Sequence, residues 1–489
     1  MSLYCDPATV PHHIAGRRLE IGPLANVHNP ANGALIRQLH QAEGPQIVQA
    51  LESARLAQQR WEALPPAERG RVLQRFVQIV TAQQQELAAL IVAEQGKTLA
   101  EALDELRRGL EMVEYAAAAP ELLSGRHSAQ GNDGLDQWTI PQALGVTVGV
   151  TPFNAPFLIP MWMAPLALAC GNAFILKPSP LAPSCAVWVA EALLAAGLPP
   201  GVFQVLQGGA EVVQGLLHHP DVAALSFVGS SSVARHLYAK GGELGKRVQA
   251  LGGAKNHLVL MPDLGPAELD AACSAIVDAA YGLAGQRCMA VAALVLVGSA
   301  GDAMLPRLIE RVRALRVGPG TKPGVDMGPV ISLEAKQRIE ALIRSGELDG
   351  AKLVVDGRGL QVAGHLNGYY LGGTLFDHVQ PWMRIYQEEI FGPVLVALRV
   401  RDLDSAMELV HAHPCAQAVS LFTRDGGVAR RFTQTVQAGM VGVNVALPLP
   451  QAWIGAGGWR TSLYGDLQAY GPEAVRFYTR RKAVMQRWD

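Results

Sequence analysis

Cys288 lies in GLAGQRCMA, residues 282–290, among small residues and directly after Arg287. A lone thiol in such a stretch is either a small buried hydrophobe or a nucleophile, and its surroundings decide which. Asn154, in TPFNAPF, sits in an apolar stretch where a buried amide must find partners. It can steady a turn or donate to a developing oxyanion. Lys177 closes the apolar run in NAFILKPSP. It reads as a lysine snorkelling from a sheet or as a donor to a ligand hydroxyl. Gly229 and Ser230, in FVGSSSVARHLY, stand where a strand pattern gives way to a helical one. Free N–H groups and the helix dipole favour a pyrophosphate there, although a helix cap is the simpler reading of the serines.

These residues need a frame, and the periodicity supplies one. From about Pro45 to Ala118 the pattern is helical, with Ile47, Ala50, Leu51, Ala54, Ala57 and Trp61 spaced along one face. From Val146 onward short apolar runs alternate with helix-length segments: VTVGV, NAFILK, VFQVL and ALSFVG, then HLVLM, AALVLV, FGPVLVALRV and AVSLFT. Such alternation predicts βαβ units and parallel sheets, which bind ligands at the carboxyl ends of their strands. No G-x-G-x-x-G motif joins a strand to a helix.

A length of 489 residues exceeds one ordinary core and predicts two or three lobes. With 49% hydrophobic and 17% charged residues the composition is globular, and a net charge of -1 argues against a nucleic-acid partner. From Gln137 to Leu176 there is no Asp, Glu, Lys or Arg, yet five prolines interrupt the stretch, so several buried elements explain it better than a membrane span. The six cysteines, Cys5, Cys170, Cys185, Cys273, Cys288 and Cys415, form no C-x-x-C pair, and no His cluster has metal-site spacing. Free thiols, no metal and a cytoplasmic location are expected; the amino terminus carries no signal-peptide pattern.

Together the ordered stretches TPFNAPF, ILKPSP, FVGSSS, LGGAK, GQRCMA, EEIFGPV and VGVN resemble the aldehyde dehydrogenase superfamily over nearly the whole chain. GAKNHLVLMPD and LAGQRCMA are similar to its methylmalonate- and malonate-semialdehyde branch, which makes acyl-CoA products. The resemblance implies an α/β fold with a Rossmann-type cofactor lobe (residues 1–121 and 145–254), a catalytic lobe (255–465) and a small oligomerisation arm (122–144 and 466–489). It implies Cys288 as nucleophile and Asn154 as oxyanion donor. It places Thr151, Phe153, Lys177, Gly229, Ser230, Glu389 and Phe391 on NAD, and Arg108 and Arg287 on a substrate carboxylate. Arg287 would also favour the thiolate if its charge points toward Cys288. A homodimer or homotetramer is implied, with CoA as co-substrate and no nucleic-acid or membrane partner.

Three departures sharpen the expectation. Members that hydrolyse their thioester carry Glu at the start of E-L-G-G-K; here the stretch is ALGGAK, and the position falls on Ala250 or Leu251. Neither takes a proton, so water is poorly activated and a thiol co-substrate is favoured. NAD-preferring members carry Glu after K-P-S; here Pro180 removes the ribose acceptors and a charge that repels a 2′-phosphate, so NADP use is expected alongside NAD. After VGVN the loop VALPLPQAWIGAGGWRTSLYGD departs from the branch pattern, which leaves the aldehyde less fixed than the reaction. The competing readings are a hydrolytic aldehyde dehydrogenase and a catalytically silent family member.

Overall fold

A computed structural model describes residues 9–131 and 134–487. Cys5, the Asn132–Asp133 tip of the expected arm and Trp488–Asp489 of the tail lie outside the described residues.

An eight-stranded sheet orders its strands as Leu463–Tyr464, Arg247–Leu251, Val222–Val228, Val146–Val150, Ala173–Lys177, Phe203–Val205, His12–Ile14 and Arg17–Leu19. The central five run parallel; Leu463–Tyr464 and His12–Ile14 join antiparallel at the flanks. From Val146–Val150 the chain steps outward one way to Phe203–Val205, then returns to Val222–Val228 and steps the other way. The strand order thus reverses between Val146–Val150 and Val222–Val228, which opens a crevice at Thr151 and Gly229. The uncharged stretch resolves into several elements: a strand to Ala143, the strand Val146–Val150, the helix Leu158–Ala169 and the strand Ala173–Lys177. Among the described residues no helix is long and apolar enough to cross a membrane.

A seven-stranded sheet follows, ordered Lys352–Val355, Thr374–Asp377, Val394–Val400, Val291–Val297, Asn256–Leu260, Ala418–Phe422 and Met440–Val443. Every pair is parallel except the outer Lys352–Val355 strand. A third sheet pairs Thr479–Gln486 with Leu135–Ala143 and His127–Gly131. Leu463–Tyr464 falls in the span expected to be catalytic, yet it extends the first sheet beside Arg247–Leu251.

The helix Leu99–Ala117 carries much of the site. Thr98 starts it with a capping box: its hydroxyl accepts from Glu101 N at 3.2 Å, and Glu101 Oε2 accepts from Thr98 N at 2.9 Å. Glu101, Asp104, Glu105 and Arg108 then follow at helical spacing and share one face.

Candidate active site

Cys288 stands one turn beyond Gly282–Gly285, where the backbone winds left-handed. Leu283, Ala284 and Gly285 have φ of +53°, +52° and +68°. Two non-glycine residues in that region cost about 1–2 kcal/mol each, strain that clusters at working sites. Gly285 cannot be larger: a Cβ would lie 2.0 Å from Gly392 O. The loop before Cys288 is therefore seated on the loop holding Glu389 and Phe391, and Phe391 is itself left-handed at φ +50°. Its ring meets Phe153 edge-on at 5.9 Å.

A cavity of about 340 Å³ opens at Cys288. Asn154, Arg108 and Arg287 line it, with Lys97, Glu101, Asp104 and Glu105 on the charged side and Trp162, Leu447 and Leu449 on the apolar side. Asn154 is buried and its Oδ1 has no partner among the described residues. Its backbone is held from below: Lys97 Nζ donates to Asn154 O at 2.8 Å, Lys97 pairs with Glu105, and Glu105 Oε1 accepts from Phe157 N at 2.8 Å and Leu158 N at 3.1 Å. Lys97 and Glu105 escape a sequence reading because charges at a helix junction look like surface; both are buried.

The two arginines face the cavity, each with a carboxylate. Arg108 pairs with Asp104 at 2.8 Å, and Arg287 pairs with Glu101 at 3.3 Å. Glu101 also accepts from Leu283 N at 2.6 Å, which ties the helix to the nucleophile loop. Burial lowers the Arg287 pKa; Glu101 raises it and Arg108 lowers it again, so the two guanidiniums feel each other. An anion between them relieves that repulsion. Arg287 does not activate the thiol. Its charge is directed to Glu101 and to the Asp278 carbonyl at 3.2 Å, and burial first, opposed by Gln417 and joined by Glu389, pushes the Cys288 thiol up to about 11.

The other residues gather at the crevice of the first sheet. Thr151 is buried, and its N–H donates to Lys177 O at 3.2 Å. Lys177 is buried, donates to Gly208 O at 3.3 Å, and has its pKa lowered by burial to about 8. Gly229 allows no Cβ, which would fall 2.4 Å from the Phe227 ring. Ser230 holds the N-cap place of the helix Ser231–Glu243, but its side chain makes no cap bond and lies 3.3 Å from Ser232 Oγ. The simple cap reading therefore fails, and the turn keeps N–H groups open to an anion. Glu389 is raised in pKa by burial while Oε1 accepts from Ala254 N at 3.0 Å. Ala250 and Leu251 end a strand of this sheet, both buried, and neither lines the cavity.

Among the described residues no group of His, Cys, Asp and Glu could hold a metal, and Cys170, Cys185, Cys273, Cys288 and Cys415 are free thiols. The model of the Aldehyde dehydrogenase family matches residues 22–484. The chain belongs to the aldehyde dehydrogenase family. Within it, the malonate-semialdehyde dehydrogenase of Pseudomonas aeruginosa is 51% identical over 98% of this chain and 96% of its own length. Malonate-semialdehyde dehydrogenase 2 of Geobacillus kaustophilus is 42% identical over 98% and 99%. Among solved structures, the methylmalonate-semialdehyde dehydrogenase of Oceanimonas doudoroffii superposes with a TM-score of 0.97 at 46% identity, covering 98% of both chains. A Sinorhizobium meliloti protein, described as a candidate methylmalonate-semialdehyde dehydrogenase and solved with NAD, gives 0.97 at 44% over 98% of both chains. The aldehyde dehydrogenase fold therefore covers 98% of the chain, and the chain is an enzyme of that family.

Proposed function

We propose that this aldehyde dehydrogenase oxidises malonate semialdehyde or its methyl homologue and passes the acyl group from Cys288 to CoA. The observation that carries the reading is one cavity holding Cys288, Asn154 and two guanidiniums, Arg108 and Arg287. The names of the relatives point the same way.

Each residue then has a physical task. The Cys288 thiolate adds to the aldehyde carbon. The Asn154 amide and the Cys288 N–H stabilise the resulting oxyanion, each by about 3 kcal/mol in comparable sites. Arg108 and Arg287 exchange part of their pairing with Asp104 and Glu101 for the substrate carboxylate, which fixes its orientation. Thr151, Phe153, Lys177, Gly229, Ser230, Glu389 and Phe391 suit a dinucleotide: a buried ammonium, a helix start with open N–H groups, and a buried carboxyl at the end nearer Cys288. NAD or NADP bound there supplies the hydride acceptor. The acyl group is left on sulfur as a thioester, and Ala250 and Leu251 offer no base for water. A CoA thiol is the better acceptor, and loss of the β-carboxylate as carbon dioxide gives acetyl-CoA or propanoyl-CoA. The same reading assigns cofactor binding to 1–121 and 145–254, chemistry to 255–465, and subunit pairing in a homodimer or homotetramer to 122–144 and 466–489. It places the enzyme in a reducing cytoplasm, where Cys288 stays a thiol.

The hydrolytic reading has Glu389 to rest on, a buried carboxyl that acts on Cys288. One experiment separates the two. NADH formation from malonate semialdehyde is measured with and without CoA, and the acyl product is identified. Strong CoA dependence with acetyl-CoA as product is expected. An equal rate without CoA, with a free acid as product, would overturn the reading and make Glu389 the first base to mutate.

A further inference from the structure

Glu101 lines the cavity with both carboxylate oxygens engaged. Oε2 accepts from Thr98 N at 2.9 Å and from Thr98 Oγ1 at 3.0 Å, which fixes the start of Leu99–Ala117. Oε1 accepts from Leu283 N at 2.6 Å and from Arg287 Nη2 at 3.3 Å. One side chain thus joins the helix, the left-handed turn before Cys288 and one of the two guanidiniums. Arg287 has little freedom of its own. Its guanidinium lies over Gly282, where a Cβ would fall 2.5 Å from Nη2 and 2.6 Å from Nη1, and Nη1 donates to Asp278 O at 3.2 Å.

The charges lining the cavity balance: Lys97, Arg108 and Arg287 stand against Glu101, Asp104 and Glu105. They are not equivalent. Lys97 and Glu105 neutralise each other inside the protein. The Asp104 side chain is 46% exposed, so water screens its charge, whereas that of Glu101 is 15% exposed. A second carboxylate brought to Arg287 therefore meets the full charge of Glu101. Two anions on one guanidinium repel, and weakening one favours the other.

We propose that Glu101 is a positioning residue with two opposed effects: it competes with the substrate carboxylate for Arg287, and it holds the turn that carries Cys288 through Leu283 N. The proposal rests on the reading of Arg108 and Arg287 as the carboxylate site. The competition lowers affinity for a carboxylate-bearing aldehyde and leaves a neutral aldehyde unaffected. The second bond raises turnover, because Leu283 and Ala284 are left-handed without being glycine, and a strained turn keeps its place only when its neighbours over-determine it. Loss of the Glu101 charge thus tightens binding and slows the reaction together.

The first test needs no turnover. Full-length wild type, Glu101→Gln and Glu101→Asp are titrated with 3-hydroxypropanoate, an unreactive carboxylate of the substrate's length, and the dissociation constant is read by ligand-observed NMR. In Glu101→Gln it should fall about fivefold. Glu101→Asp keeps the charge but gives up one methylene of reach, and should tighten less. Binding of 1,3-propanediol, the same chain without the carboxylate, should not distinguish the three proteins. In steady-state assays of NADH formation Glu101→Gln should show a lower KM for malonate semialdehyde together with a lower kcat. A purely structural role predicts a lower kcat with KM unchanged or raised, and that result, or an unchanged dissociation constant, would overturn the proposal. If Glu101→Gln does not fold, Glu101→Asp decides: binding no tighter than wild type would sink the idea. Failure of 3-hydroxypropanoate to bind wild type at all would overturn the two-arginine reading beneath it, an outcome distinct from equal binding to wild type and variant.

Discussion

At the scale of the residue, the site is made by what surrounds each group more than by its type. Lys177 shows it: an ordinary lysine becomes a buried donor at a strand end, with its pKa lowered by burial to about 8. Three residues on, Pro180, where the resemblance implies Glu in NAD-preferring members, is half-buried in the loop that leaves Ala173–Lys177. A carboxylate there would accept from two ribose hydroxyls and repel a 2′-phosphate. We therefore expect Pro180→Glu to shift the ratio of kcat/KM for NAD over NADP upward by about tenfold, since one hydrogen bond to a charged group is worth roughly 1.5–3 kcal/mol. Steady-state rates with both cofactors check it. A ratio unmoved by the substitution would mean that Pro180 does not face the ribose.

At the scale of the element, most of the frame was legible. Alternating short apolar runs and helices identified the parallel strands, because a strand buried on both faces has no choice but to be apolar throughout. The motifs carrying Cys288, Asn154 and Glu389 were legible too. Their supports were not. Lys97 and Glu105 lie in a segment whose charges read as a solvated helix face, and only tertiary packing turns that face inward. Asn256 has no local signature, since it ties together segments that are far apart in sequence. Likewise the left-handed turn at Leu283 and Ala284 breaks the usual preference for glycine, so sequence pattern could not announce it. The Lys97–Glu105 pair makes its own prediction. Glu105→Gln keeps the volume but removes the charge that Lys97 pairs with and weakens the hold on Phe157 N and Leu158 N. Breaking a buried pair costs about 3–5 kcal/mol. The melting temperature should fall, and kcat should fall with it because Asn154 loses its brace. A variant that melts lower yet keeps its kcat would show that the pair holds the fold without setting the oxyanion donor.

At the scale of the whole molecule, both large sheets bury neutral histidines, and this couples stability to acid. His12 and His13 sit in the strand His12–Ile14, each fully buried, and burial pulls each pKa down to about 4. His257 lies in the strand Asn256–Leu260 of the second large sheet with the His413 ring 5.5 Å away, and burial lowers His413 to about 4 and His257 to about 3. In the unfolded chain each would titrate near pH 6.5. Between about pH 6.5 and 4 the unfolded chain therefore takes up protons that the folded one refuses. Stability is full above that window and is lost as pH falls through it, by at most about 1.4 kcal/mol per pH unit for each histidine. Two of the four thus lie at each large sheet, so acid loads both regions of the molecule at once. The melting temperature should hold steady from pH 8 to about 6.5 and then drop as pH approaches 5. His13→Gln, which replaces a neutral ring with an amide that does not titrate, should make that drop shallower. A melting temperature that is flat across this window would mean that the histidines find proton acceptors on acidification, and that their burial is less complete in solution than the packing indicates.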